Sequence, residues 1–194
     1  PKKLVKLSAY KETLSSDIDG LMRETIEEKM RAIQVLEYGD AEALTTTEIP
    51  PPEPGDGEVQ VQIAYAGVNF IDVYMRRGMY AKNRAYATSL PLTLGMEGAG
   101  IVTTVGPGVE GVVTGDRVAY CLSPGSYAEF AVVPAWKLVK LPRDISMVIG
   151  AAIMLQGCTA HYLSHTLFPL ASGHTCLVHA GAGGVGQLLI QLAK

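Results

Sequence analysis

The chain has 194 residues, of which 48% are hydrophobic and 18% charged, with a net charge of -3 at pH 7. This composition suits a globular protein holding one large domain, or one domain and part of another, and its lack of basic excess argues against a nucleic-acid partner. Read as a sequence, no apolar run approaches the roughly 20 residues of a membrane span. The three cysteines, Cys121, Cys158 and Cys176, form no C-x-x-C pair. That fits reduced thiols in the cytoplasm and speaks against a structural zinc site or a disulfide framework.

Residues 1–29 carry six basic and six acidic side chains and show no strand pattern. Asp17 or Asp19 is placed to cap a short helix through Leu21, Met22 and Ile26. The segment lacks the apolar core of a signal peptide and reads as a mobile N-terminal extension, with Met30 as a natural start. From Met30 to about Leu141 the signals are β. Ala32 to Leu36 make a first strand and Leu44 to Ile49 a second, ended by the proline-rich loop Pro50–Gly55. Glu58 to Tyr65 alternate with period two, as a half-buried strand does. Asn69 to Arg77 reads as a short helix, and further strands are expected at Gly100–Val105, Val118–Tyr120 and Tyr127–Val133. Short strands punctuated by Gly and Pro suggest a small barrel. After Pro142 the period changes, and two helices are expected, Ile145–Leu155 and Thr159–Leu167, separated near Gly157.

The last stretch carries the strongest motif. Cys176 to Ala180 looks like a buried parallel strand. Gly181, Gly183 and Gly186 satisfy G-x-G-x-x-G, and Leu188, Leu189, Ile190 and Leu192 mark a following helix. Strand, glycine turn and helix in that order form a dinucleotide-binding fingerprint: glycine lets the backbone approach a pyrophosphate, which the helix N-terminus stabilises. A single βα unit needs parallel neighbours for its strand and a sheet beneath its helix. The expectation is therefore that the polypeptide continues past Lys194, or that the chain is a fragment whose competing role is a non-catalytic structural or interaction module. His161 and His165 share a helical face at i, i+4, yet no third ligand accompanies them, so no metal site is assigned. The serines show no G-x-S-x-G elbow, which speaks against a hydrolase.

Four stretches taken together resemble the medium-chain dehydrogenase/reductase superfamily, and within it the zinc-independent quinone oxidoreductases related to zeta-crystallin. They are Gly67–Tyr74, Leu94–Gly100 with Val105-Gly106, Gly115–Val118 with Gly125–Glu129, and the Ala180–Gly186 turn. The fold class implied is mixed β and α/β: a GroES-like β-barrel domain (30–155) followed by the start of a Rossmann parallel-sheet domain (156–194), with the nicotinamide between them. Zinc-dependent members place a His where Met96 stands, and a thioether beside Glu97 cannot make a catalytic zinc site. Glu97 is then read as a structural hydrogen-bond acceptor, and Asp72 as a brace for its segment.

The resemblance implies an NADPH-dependent reductase passing hydride to a quinone or related conjugated carbonyl, with an enoyl or alkenal reductase as the alternative. Without a metal, such transfer depends on positioning and hydrogen bonding. The resemblance assigns Asn69 to the nicotinamide and substrate, and Thr159 to the nicotinamide ring. Gly181, Ala182, Gly183, Gly184, Val185 and Gly186 are assigned to the pyrophosphate turn. Tyr74 and Tyr80 are candidates for the substrate cleft, since a phenol offers an apolar face and a donor. The side chain that separates NADPH from NADH falls about 20 residues past the turn, beyond Lys194. A homodimer is the family expectation.

Overall fold

The computed structural model describes residues 29–82 and 89–194. The short helix expected through Leu21, Met22 and Ile26 and the rest of the N-terminal extension before Lys29 lie outside the described residues. The β region forms two sheets. β1 (Met30–Val35) lies between β2 (Leu44–Ile49) and β4 (Leu92–Thr93). The larger sheet has the order β7-β3-β5-β6-β8, from β3 (Glu58–Ala66), β5 (Glu97–Val105), β6 (Arg117–Cys121), β7 (Phe130–Pro134) and β8 (Val139–Lys140). All pairings between these strands are antiparallel.

The expected barrel is thus corrected to two sheets that do not close. They meet where Ile33 N–H donates to the Tyr127 carbonyl (2.8 Å) and Ala32 bridges Ala128. Closure needs a continuous ladder, and β4 and β8 are two residues each, too short to carry one. Alternation places Val59 and Val61 of β3 inward with Val102, Val118, Tyr120, Ala131 and Val133, a core of fully buried side chains. A second cluster, Val35, Met75, Leu92, Leu94 and Met96, packs beneath the small sheet.

The helix α1 (Phe70–Arg76) forms where expected. Its C-terminus closes in a Schellman arrangement: Gly78, at φ 71°, donates to the Met75 carbonyl, and Met79 to that of Tyr74. The two helices expected after Pro142 are one. α2 runs Met147–His161, started by Ser146, whose Oγ accepts from Ile149 N–H (3.3 Å), and continues as a π-helical segment Tyr162–Leu167. Gly157 stays inside α2, because packing against β5 and β6 outweighs its weak helix propensity. Its union with the π-helical segment also corrects the sequence reading on membranes. Met147–Leu167 is 21 residues with a mean hydropathy of 1.2, long and apolar enough to cross one. Ala151 packs with Ala99 and Ala119 of the large sheet, an arrangement that a core helix also makes.

The strand expected at Cys176–Ala180 does not form, and Leu177 is 82% exposed. A parallel strand takes its hydrogen bonds from neighbours, and no strand among the described residues lies beside this one. The glycine turn nevertheless leads into α3 (Gly184–Ala193), which packs against α2.

Candidate active-site cleft

β3 ends at Ala66, and the chain turns through Gly67 into α1. Gly67 N–H donates to the Glu97 carbonyl (3.0 Å). A side chain here has no room: a Cβ on Gly67 would stand 2.1 Å from Glu97 Oε2 and 2.4 Å from the Ala151 carbonyl. This close approach lets Asn69, the residue that opens α1, reach Glu97. Asn69 Nδ2 donates to Glu97 Oε2 (2.6 Å), while Asn69 main-chain N–H donates to Asp72 Oδ2 (2.9 Å), one half of a capping box. Glu97 Oε1 accepts from Leu155 N–H in the middle of α2 (2.7 Å). Asp72 Oδ2 also accepts from the Tyr127 hydroxyl (2.8 Å). Asn69, Asp72 and Glu97 are all buried, Glu97 at 1% exposure.

Burial raises both carboxyls from their ordinary values. N–H donors oppose the shift at both, and the Asp72 charge raises Glu97 further. The Tyr127 hydroxyl is pushed up as well, first by burial and then by its bond to Asp72. Tyr127 therefore stays a donor at neutral pH. Asp72 and Glu97 both brace, as the sequence suggests: Asp72 Oδ2 and both Glu97 oxygens are engaged by protein donors, while the buried Asp72 Oδ1 has no partner among the described residues.

The glycine turn faces this cluster. Asn69, Phe70, Leu155, Gln156 and His179 line a cleft of about 540 Å³ together with Gly183, Gly184, Val185 and Gly186. Gly183 sits at the N-cap of α3 and no side chain caps that end. A Cβ on Gly186 would lie 2.4 Å from the Ala180 carbonyl and 2.8 Å from the Gly181 Cα, so the turn doubles tightly on itself. A Cβ on Gly184 would instead strike the Gln156 side chain. A bare backbone, an uncapped helix end and one convergent amide suit a dinucleotide, and these residues fit the pyrophosphate of a nicotinamide dinucleotide.

Not every expected residue lines the cleft. Gly181 and Ala182 form the outer bend, where the Ala182 carbonyl accepts from Gln187 Nε2 (2.7 Å). Thr159 is inside α2, one turn past Leu155, and donates to the Leu155 carbonyl (2.7 Å) rather than starting a helix. Tyr74 and Tyr80 extend an edge-to-face row from Phe70, with centroids 5.4 Å and then 6.0 Å apart. The cleft meets that row at Phe70. His161 and His165 stack face to face at 4.2 Å. Among the described residues no group of three or more His, Cys, Asp or Glu gathers as a metal site would require, and Met96 is buried in the apolar core. Sequence reading passed over Phe70, Gln156 and His179. His179 alone carried a signal, standing two residues before the first motif glycine.

Residues 55–143 match the alcohol dehydrogenase GroES-like domain. A quinone oxidoreductase of Pseudomonas aeruginosa is 45% identical over 165 residues, covering 84% of this chain and 49% of that protein. A 2-haloacrylate reductase of Burkholderia is 39% identical over 144 residues, covering 73% of this chain and 43% of the relative. The crystal structure of Escherichia coli quinone oxidoreductase complexed with NADPH superposes with a TM-score of 0.79 at 39% identity, covering 84% of this chain and 49% of that one. The chain belongs to the medium-chain dehydrogenase/reductase superfamily. It spans about half the length of the curated relatives it matches.

Proposed function

We propose that this chain supplies the substrate-side wall and the pyrophosphate turn of an NADPH-dependent reductase that acts on a quinone or related conjugated carbonyl without zinc. The observation that carries the reading is the convergence of Asn69 and Gly183–Gly186 on one cleft. When bound, NADPH supplies the hydride. The Gly183–Gly186 backbone and the N-terminus of α3 would hold its pyrophosphate, and Asn69 would orient the reacting groups. Phe70 offers an apolar wall for a flat acceptor, with Tyr74 and Tyr80 behind it. Positioning by fixed hydrogen bonds does the catalytic work. The buried Met96 beside Glu97, and the lack among the described residues of any group of three or more His, Cys, Asp or Glu, support the metal-free form. In this reading residues 30–155 form the catalytic domain and 156–194 open the nucleotide domain.

The 2-haloacrylate reductase likeness favours a second reading, reduction of a conjugated C=C bond such as an enoyl or alkenal group. NADPH oxidation with a benzoquinone set against oxidation with an enoyl thioester separates the two. NADPH binding itself is tested by titration of nucleotide fluorescence. Absence of saturable binding sinks both readings and leaves the chain as a structural or interaction module.

A further inference from the structure

Glu97 is a carboxylate buried to 1% exposure, joined to two other elements, and no catalytic step calls for it. Its two contacts differ in kind. Leu155 N–H belongs to the backbone of α2 and cannot turn away, so Glu97 Oε1 must accept. The Asn69 amide is a rotor whose two ends can exchange by a half-turn. Its backbone is pinned through Asn69 N–H to Asp72, and the reciprocal half of the capping box turns the side chain toward the Asp72 main-chain N–H, so the contact of the nitrogen end with Glu97 completes its orientation. A carboxylate accepts at both oxygens, whereas a glutamine of the same length accepts at one end and donates at the other.

We propose that Glu97 is a positioning residue that fixes the Asn69 amide by holding its nitrogen end, so that one arrangement of donor and acceptor faces the cleft. This rests on the reading of the cleft as a nicotinamide site, whose carboxamide and carbonyl-bearing partner would be recognised by that arrangement. The same carboxylate ties the α1 entry to α2, which contributes Leu155 and Gln156 to the opposite wall. Wall spacing and amide orientation are therefore set by one side chain.

The test is Glu97→Gln. Leu155 N–H still requires an acceptor, so the glutamine NH₂ faces Asn69 and the Asn69 amide turns over. In the ¹⁵N-labelled 194-residue chain, with Asn69→Ala used for assignment, the Asn69 side-chain resonances should move. NADPH affinity should fall about tenfold, the scale of one hydrogen bond to a charged group. That loss should vanish when Glu97→Gln is made in the Asn69→Ala background, whereas a purely structural role gives the same loss with or without Asn69. Unmoved Asn69 resonances, or equal losses in the two backgrounds, overturn the proposal. If wild type does not bind NADPH, the cofactor reading fails and the resonances still decide the role of Glu97. If the variant does not fold, the wild-type chain decides. One Asn69 side-chain proton should exchange slowly with solvent, and two protons exchanging at the free-amide rate refute the idea.

Discussion

Gly67→Ala offers the sharpest check on how the cleft is built. The new methyl would sit 2.1 Å from Glu97 Oε2, 2.4 Å from the Ala151 carbonyl and 2.6 Å from Glu97 Cδ. Ordinary contact lies beyond about 3.4 Å, so something must retreat by about 1 Å. The Ala151 carbonyl is helix backbone, and Glu97 is held at both oxygens by Asn69 and Leu155, so neither retreats freely. Losing a hydrogen bond to a charged group costs about 1.5–3 kcal/mol, and overpacking adds about 1–3 kcal/mol. The expected destabilisation is about 2.5–6 kcal/mol, a large part of the roughly 5–15 kcal/mol of a typical domain. Urea denaturation followed by circular dichroism measures it, with Gly108→Ala as the control. Gly108, unlike Gly67, has a positive φ (71°), and open space surrounds it, so only backbone strain of about 1 kcal/mol is expected there. A loss at Gly67 no larger than at Gly108 would refute the close-approach argument.

Gly186→Ala and Gly184→Val should separate turn from cleft. The first meets backbone and should cost both stability and NADPH binding. The second first meets the Gln156 side chain, which can swing into the cleft, so NADPH affinity should fall while the melting temperature changes little. Glu97 makes a pH prediction. Its folded pKa is raised above the ordinary 4.5 by burial, so its stabilising contribution is complete below that value and lost as pH rises through the folded pKa. Denaturation of wild type and Glu97→Gln between about pH 4 and 8 should show the balance shifting toward the variant as pH rises; a shift the other way contradicts burial as the dominant cause. The Cys121 thiol is pushed up to about 11, chiefly by burial and then by neighbouring Cys158. Mass spectrometry after brief iodoacetamide treatment at pH 7.5 should find exposed Cys158 and Cys176 alkylated well before Cys121.

Periodicity and punctuation located most elements because their causes are local. The alternation in Glu58–Ala66, the capping residues at Asn69 and Asp72, and the glycine after Arg77 each act within a few residues. The glycine turn likewise declares itself, since backbone approach to a phosphate needs missing side chains in one short stretch. Sequence alone thus determined the β-rich half, the short helix α1 and the turn that opens α3. Only tertiary structure decided the rest. Gly157 reads locally as a break, but packing of α2 on the large sheet carries the helix through it. The apolar run at Cys176–Ala180 reads as a strand, yet a strand exists only with neighbours to complete its ladder. Glu97 reads as one acid in a glycine-rich stretch, and its meaning comes from Asn69, 28 positions before it, and Leu155, 58 positions after it. Burial removes water from these groups, so each polar atom must find its partner across the fold, and no local pattern records which one it finds.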